Sequence, residues 1–169
     1  TRGVDAAASG DAAPGAGVAW RDLREWLALV ERHGALHRIR AEVDTDEELS
    51  AITFLAARDT NAKALLFENI KGDKLGARVL TNMLGASAER YALAVGLDPN
   101  LSLRAMILAT RDIMRRRIAP RMLDARAAPV NEVVLRGADI DLTQFPAPKF
   151  WPGDGGRYIG TGDVTLTRD

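Results

Sequence analysis

The sequence contains no cysteine. That absence excludes a disulfide framework, a thiolate-ligated zinc and a thiol nucleophile. Histidine is almost as scarce, with only His33 and His37, which leaves little for imidazole-based metal binding or catalysis. No sign of charge dominates. Lys plus Arg and Asp plus Glu each total 23 of 169 residues, so nothing drives the whole chain toward nucleic acid or an anionic membrane. No apolar run approaches the roughly 20 residues that a membrane span requires, and the start carries no signal-peptide pattern. The expectation is a soluble, cytoplasmic protein. With 47% hydrophobic and 27% charged residues, the composition is globular, and the length suits one domain, or one domain plus part of a second.

Residues 1–17, "TRGVDAAASGDAAPGAG", are rich in Ala and Gly. They have little to bury against the entropy of ordering, so they read as a disordered leader. In "VAWRDLREWLALVERHG", Leu23, Trp26, Leu27 and Val30 share one helical face, and Gly34 stands where a left-handed helix end belongs. "ALHRIRAEV" alternates as a strand, with His37, Ile39, Ala41 and Val43 on its apolar side. Thr45 and Glu48 have capping-box spacing, which predicts a helix to about Arg58 burying Leu49, Ile52, Leu55 and Ala56. "ALLFENI" and "ARVLTNMLG" read as strands, separated by a turn at Lys71-Gly72-Asp73. Ser87 caps a short helix that Gly96 ends. A further helix carries a stripe of Leu103, Met106, Ile107, Thr110 and Met114, and Pro120 ends it.

Beyond that helix the texture changes. "DARAAP" reads as a linker, "VNEVVLRG" as strand-like, "ADIDLTQFPAPKFWP" as a long extended connection, and "YIGTGDVTLT" as a strand. The expected organisation is a leader over 1–17, an α+β domain over 18–127, and the start of a β-rich domain over 128–169.

Four groups of residues carry chemistry that function could use. "WPGDGGRYIGTG" combines glycines, which permit positive φ and close ligand approach, with the Thr161 hydroxyl. Its successive N–H groups suit an anion nest, although it has neither the phosphate-loop lysine nor the dinucleotide spacing. The plainer reading is a rigid turn. Arg115, Arg116, Arg117 and Arg121 suit phosphate or RNA, but cations also suit a helix C-terminus. Asp44, Asp46, Glu47 and Glu48 suit a divalent metal or acid–base work, and equally a helix N-terminus. His33 falls in a helix's last turn, and His37 reads as a core imidazole. None of these defines a reaction.

The order of segments resembles the N-terminal part of the UbiD family, decarboxylases that use prenylated FMN. The segments are "DLREWLALVERHGALHRIRAEVDTDEELSAI", "ALLFENIKG", "ARVLTNMLGA" and "FPAPKFWPGDGGRYIGTGDVTLTRD". The resemblance runs from about Trp20 to Asp169. It implies an N-terminal α+β domain leading into a split β-barrel like that of flavin reductases. Of its first strand, "GGRYIGT", Thr161 corresponds to a threonine lining the cofactor site. Phe150 stands where many relatives have a histidine, and Gly160 where some have asparagine. By the same resemblance, the catalytic arginine and glutamates and the metal and phosphate ligands follow the last residue here. No catalytic or metal-ligating residue is therefore expected in this chain.

The activity so implied is reversible decarboxylation of an aromatic or α,β-unsaturated carboxylic acid by a longer, homo-oligomeric parent. Its cofactors would be prenylated FMN, Mn²⁺ or Mg²⁺, and K⁺. This segment alone, as a truncation or cleavage product, is expected to be inactive. The alternative is a non-enzymatic binding or assembly module acting through a strand edge or the arginine-rich helix.

Overall fold

A computed structural model describes residues 17–85, 87–117, 119 and 122–160. Residues 1–16 of the expected leader, Pro120, Arg121 and the run from Thr161 onward lie outside the described residues.

Helix α1 spans Leu23–Arg32. The Asp22 carboxylate accepts from the N–H groups of Arg24 and Glu25 at 2.9 and 3.0 Å, occupying donors that the first turn cannot satisfy internally. At the other end Gly34 takes φ +68°. There Gly34 N–H donates to Glu31 O at 2.9 Å and Ala35 N–H to Val30 O at 3.0 Å, the paired bonds of a Schellman ending. Trp26, Leu27 and Val30 are buried as the spacing predicts, but Leu23 is half exposed because it lies at the open first turn.

A three-stranded sheet of order β1-β2-β3 follows, with β1 Leu36–Ile39, β2 Ala64–Phe67 and β3 Val79–Thr81. β1 runs parallel to β2 with Leu36 opposite Ala64, and β3 runs antiparallel to it with Leu66 opposite Leu80. The four residues of β2 are all buried, because the sheet is covered on both faces. Ala64 and Leu66 meet Trp26, Leu27 and Val30 of α1 and Leu93. Leu65 and Phe67 meet Val43, Leu49 and Ile70. A continuous apolar run is the expected texture of a strand between two layers.

Helix α2, Glu48–Ala57, crosses between β1 and β2. Helix α3, Ala88–Val95, begins where the Ser87 hydroxyl accepts from Arg90 N–H and ends at Gly96 with φ +73°, as the sequence predicts. Helix α4 spans Leu103–Met114 with Ser102 as its cap. It meets α3 through a hydrogen bond from Tyr91 Oη to Thr110 Oγ1.

Several expectations are corrected. His37 is exposed rather than core. β1 is an edge strand only four residues long, and Leu36, with Ala35 just before the strand, is buried there rather than His37. Thr45 does not cap α2. It is 4% exposed, and its carbonyl accepts from Lys149 N–H. The residue before α2 is Glu47, with no side-chain cap, and the Glu48 carboxylate instead reaches back to Asp44 N–H at 2.7 Å. Leu49 is fully buried, but Leu55 is exposed, because it faces away from the sheet. α4 stops at Met114, before Pro120, and of its stripe only Met106 is buried. "VNEVVLRG" forms no strand. Short 3-10 turns occupy Pro129–Asn131, Gly137–Asp139 and Leu142–Gln144. An alternating pattern becomes a strand only beside a partner ladder, and no neighbouring backbone among the described residues pairs with it.

Candidate functional site

Lys149 joins the end of the described chain to the sheet domain. The prolines Pro146 and Pro148 stiffen the backbone leading to it. Lys149 N–H donates to Thr45 O at 3.0 Å, and Glu47 N–H donates to Lys149 O at 3.1 Å. The same carbonyl accepts from Ser50 Oγ at 2.7 Å. The ammonium donates to Glu47 Oε1 at 2.5 Å and lies 3.7 Å from Asp46 Oδ1. The hydrogen bond to Glu47 raises the Lys149 pKa above its ordinary value, so the group stays charged. A segment about a hundred residues away is thereby tied to the start of α2.

Beyond Lys149 the chain folds over α2. Trp151 meets Phe54 edge-on with ring centroids 5.5 Å apart, and Phe150 meets Tyr158 at 6.4 Å. Tyr158 N–H donates to Pro148 O at 2.9 Å, and Trp151 N–H to Asp154 Oδ2 at 2.9 Å. An apolar cleft of about 310 Å³ lies between α2 and this loop, lined by Ala51, Phe54, Leu55, Phe150, Trp151 and Pro152. A second cleft of about 300 Å³ brings Lys71 and Arg157 to Asp44 and Asp73. Lys71 Nζ donates to Asp44 Oδ2 at 2.8 Å, and that bond, with Asp46 N–H, lowers the Asp44 pKa.

The four sequence candidates fare differently. The acidic cluster is occupied by lysines and backbone donors: Asp44 by Lys71 and Asp46 N–H, Glu47 by Lys149, and Glu48 by Asp44 N–H. No group of three or more metal-ligating side chains converges among the described residues. His33 Nδ1 lies 3.1 Å from Glu89 Oε1, 56 residues away in sequence, and its partner is thus not His37. Arg115 ends α4, its N–H donating to Arg111 O. The glycine loop does not form a nest: Gly153, Gly155 and Gly156 lack positive φ, and a Cβ on any of them would meet nothing within 4 Å. Thr161 lies outside the described residues. Sequence reasoning missed Lys149. The available signal was a lone cation between prolines, opposite in sign to the Asp46-Glu47 pair.

Two family models match the chain in sequence order. The 3-octaprenyl-4-hydroxybenzoate carboxy-lyase N-terminal domain matches residues 27–110, and the Rift-related domain of the same carboxy-lyase matches residues 121–169. The chain is 39% identical over 147 residues to pyrrole-2-carboxylic acid decarboxylase of Pseudomonas aeruginosa, covering 83% of this chain and 29% of that protein. The open form of Sedimentibacter hydroxybenzoicus vanillic acid decarboxylase superposes with a TM-score of 0.72 at 34% identity, covering 82% of this chain and 30% of that one. The UbiD-class enzyme HmfF from Pelotomaculum thermopropionicum, in complex with prFMN, superposes with a TM-score of 0.65 at 33% identity, covering 80% and 29%. The chain belongs to the UbiD family and corresponds to its N-terminal portion. It spans about 30% of the length of the relatives it matches.

Proposed function

We propose that this chain is the N-terminal segment of a UbiD-family enzyme that reversibly decarboxylates an aromatic or α,β-unsaturated carboxylic acid. The observation that carries the reading is the order of two carboxy-lyase family regions on one chain, joined physically by Lys149 lying against α2. Two relatives over the same region are named as decarboxylases, and a third, named as a UbiD-class enzyme, holds prFMN. In this reading the sheet domain ends near residue 127, and residues from 128 begin a split β-barrel for the cofactor. Thr161 contributes to that barrel's lining. Prenylated FMN, when bound, supplies an electron sink for the charge left on an sp² carbon as CO₂ departs. Mn²⁺ or Mg²⁺ and K⁺ would accompany the cofactor, with ligands expected outside this segment. The parent is a cytoplasmic homo-oligomer, and among the described residues no helix is long and apolar enough to cross a membrane.

The role of the segment is structural support. In the acidic cluster, Asp44 and Glu47 already hold lysines and Glu48 a backbone donor, so these carboxylates brace the fold rather than stand open to a substrate. The test is CO₂ release from a panel of pyrrole, hydroxybenzoic and cinnamic acids, with prenylated FMN, Mn²⁺ and K⁺. The parent protein and this chain are assayed side by side, and ¹³C-bicarbonate incorporation is followed for the reverse direction. Turnover by the parent alone is expected. Turnover by this chain would refute the assignment of chemistry to residues outside it, and inactivity of the loaded parent on all acids would favour a non-enzymatic assembly module.

A further inference from the structure

The backbone of Glu47 is anomalous for its residue type. It takes φ +68° and ψ −30° immediately before α2, a region that L-residues enter at a cost. Strain of this kind persists where surrounding contacts over-determine it, and Lys149 supplies those contacts. Its carbonyl accepts from Glu47 N–H, and its ammonium donates to the Glu47 carboxylate. Ser50, 4% exposed, turns its hydroxyl to the same carbonyl. Thr45, also 4% exposed, offers its carbonyl to Lys149 N–H. Both neutral contacts come from buried residues, so water competes poorly for them, whereas the ammonium is about a quarter exposed at 24%. The Phe54–Trp151 and Phe150–Tyr158 contacts flank this point.

We infer that Lys149 is a positioning residue: its clasp on the Thr45–Ser50 segment sets where the loop 150–158 lies on α2, and through that loop the orientation of the second family region against the first. The consequence for turnover rests on the decarboxylase reading above, whereas the clasp itself does not. Lys149→Met keeps the apolar stem and removes the charge. Lys149→Arg keeps the charge. Ser50→Ala removes the buried donor to the Lys149 carbonyl.

Two measurements decide the matter in the full chain. Amide hydrogen exchange is read at Glu47, Lys149 and Tyr158, the donors of the clasp and its loop. Because the sequence has no native cysteine, spin labels placed by A28C and G155C report the spacing between α1 and the loop. Neither site is constrained: Ala28 is exposed, and a Cβ at Gly155 meets nothing within 4 Å. Ser50→Ala is expected to speed exchange about fivefold to tenfold, as loss of one buried hydrogen bond implies. Lys149→Met is expected to speed it about two- to fivefold, in keeping with a partly exposed ion pair, and to broaden the label-distance distribution. Lys149→Arg should restore a narrow distribution. Unchanged exchange and distances in both Lys149→Met and Ser50→Ala would overturn the clasp. Broadening by Lys149→Met that Lys149→Arg leaves uncorrected would overturn the role of the charge. In the parent enzyme, Lys149→Met should lower kcat more than it raises KM. A parent inactive before any substitution refutes the decarboxylase reading and leaves the exchange and distance results to decide the clasp.

Discussion

Arg90 is the most consequential charge in the sheet domain. It is 2% exposed, and carbonyl groups receive its donors: Ala62 O at 2.6 Å from Nη1, Met83 O at 3.0 Å from Nε, and Asn82 O at 3.5 Å from Nη2. One guanidinium on α3 thus ties the loop before β2 to the loop after β3. Burial pushes its pKa down, yet arginine does not lose its proton in proteins, so a cation stands in the interior, stabilised by peptide dipoles. Arg90→Met preserves the stem and deletes the donors. A hydrogen bond to a charged group contributes about 1.5–3 kcal/mol, and two of the three here have good length. The adjoining cleft, lined by Ala62, Lys63 and Arg90, lets water reach the stranded carbonyls, which holds the loss near the lower end, about 3 kcal/mol. For a chain of this size that converts to a fall in Tm of about 6–12 °C. Circular-dichroism melts, with urea midpoints as a second probe, measure it. Arg90→Lys, which supplies a point charge without the fork, should fall between the two. A melt for Arg90→Met within about 2 °C of the wild type would refute the claim that this guanidinium holds the loops together.

Other expectations follow from the same packing. Gly85 has φ +51°, and a Cβ there would lie 2.2 Å from Asn82 Oδ1 and 3.0 Å from Arg90 Nη2. Gly85→Ala should therefore destabilise by about 1–3 kcal/mol, and an unshifted urea midpoint would count against it. Leu66→Ala opens a cavity beneath the central strand, where Leu66 is 2% exposed, and should cost about 2–5 kcal/mol by urea unfolding. On α4, Met106→Glu should lower Tm steeply while Ile107→Glu leaves it almost unchanged, since the two are 3% and 61% exposed. Acid should weaken the fold. The pKa of Asp44 is lowered by Lys71, that of Glu31 by Arg38 and that of Glu25 by Arg21. Depressed carboxylates stabilise the fold above their unfolded values and lose that contribution as pH falls through the folded ones, so urea midpoints should decline below about pH 4. Midpoints that rise on acidification would contradict these pairings.

The sheet domain was legible where local rules act alone. The helix face of Trp26, Leu27 and Val30 with its Gly34 ending, and the Ser87 cap with its Gly96 ending, depend on neighbours within a few residues and form as read, while of the strand read over "ALLFENI" the part "ALLF" forms. Failures cluster where a distant partner decides. Thr45 has the spacing of a capping residue, yet a lysine 104 positions later takes its carbonyl and the helix begins without it. His37 alternates with apolar neighbours, but nothing in that alternation reveals that β1 would lie at the sheet's edge. The α4 stripe is present in the sequence and largely exposed in the fold, because amphipathicity states what a helix could bury and not what lies against it.

The site was less legible than the fold for a related reason. The glycine loop drew notice because glycine is conformationally distinctive, yet the structure gives Gly153, Gly155 and Gly156 neither positive φ nor a crowded Cβ. The left-handed backbone next to this loop belongs instead to Glu47, a residue no turn rule would select. It sits there because Lys149, brought in by two prolines, holds its N–H and its carboxylate together. Local sequence therefore drew attention to "WPGDGGRYIGTG", whose plainer reading is a rigid turn, and passed over Lys149 just before it. In the described chain Lys149 of "FPAPKFWP" lies against the start of α2, where Asp46 and Glu47, two of the four acidic candidates, face its ammonium.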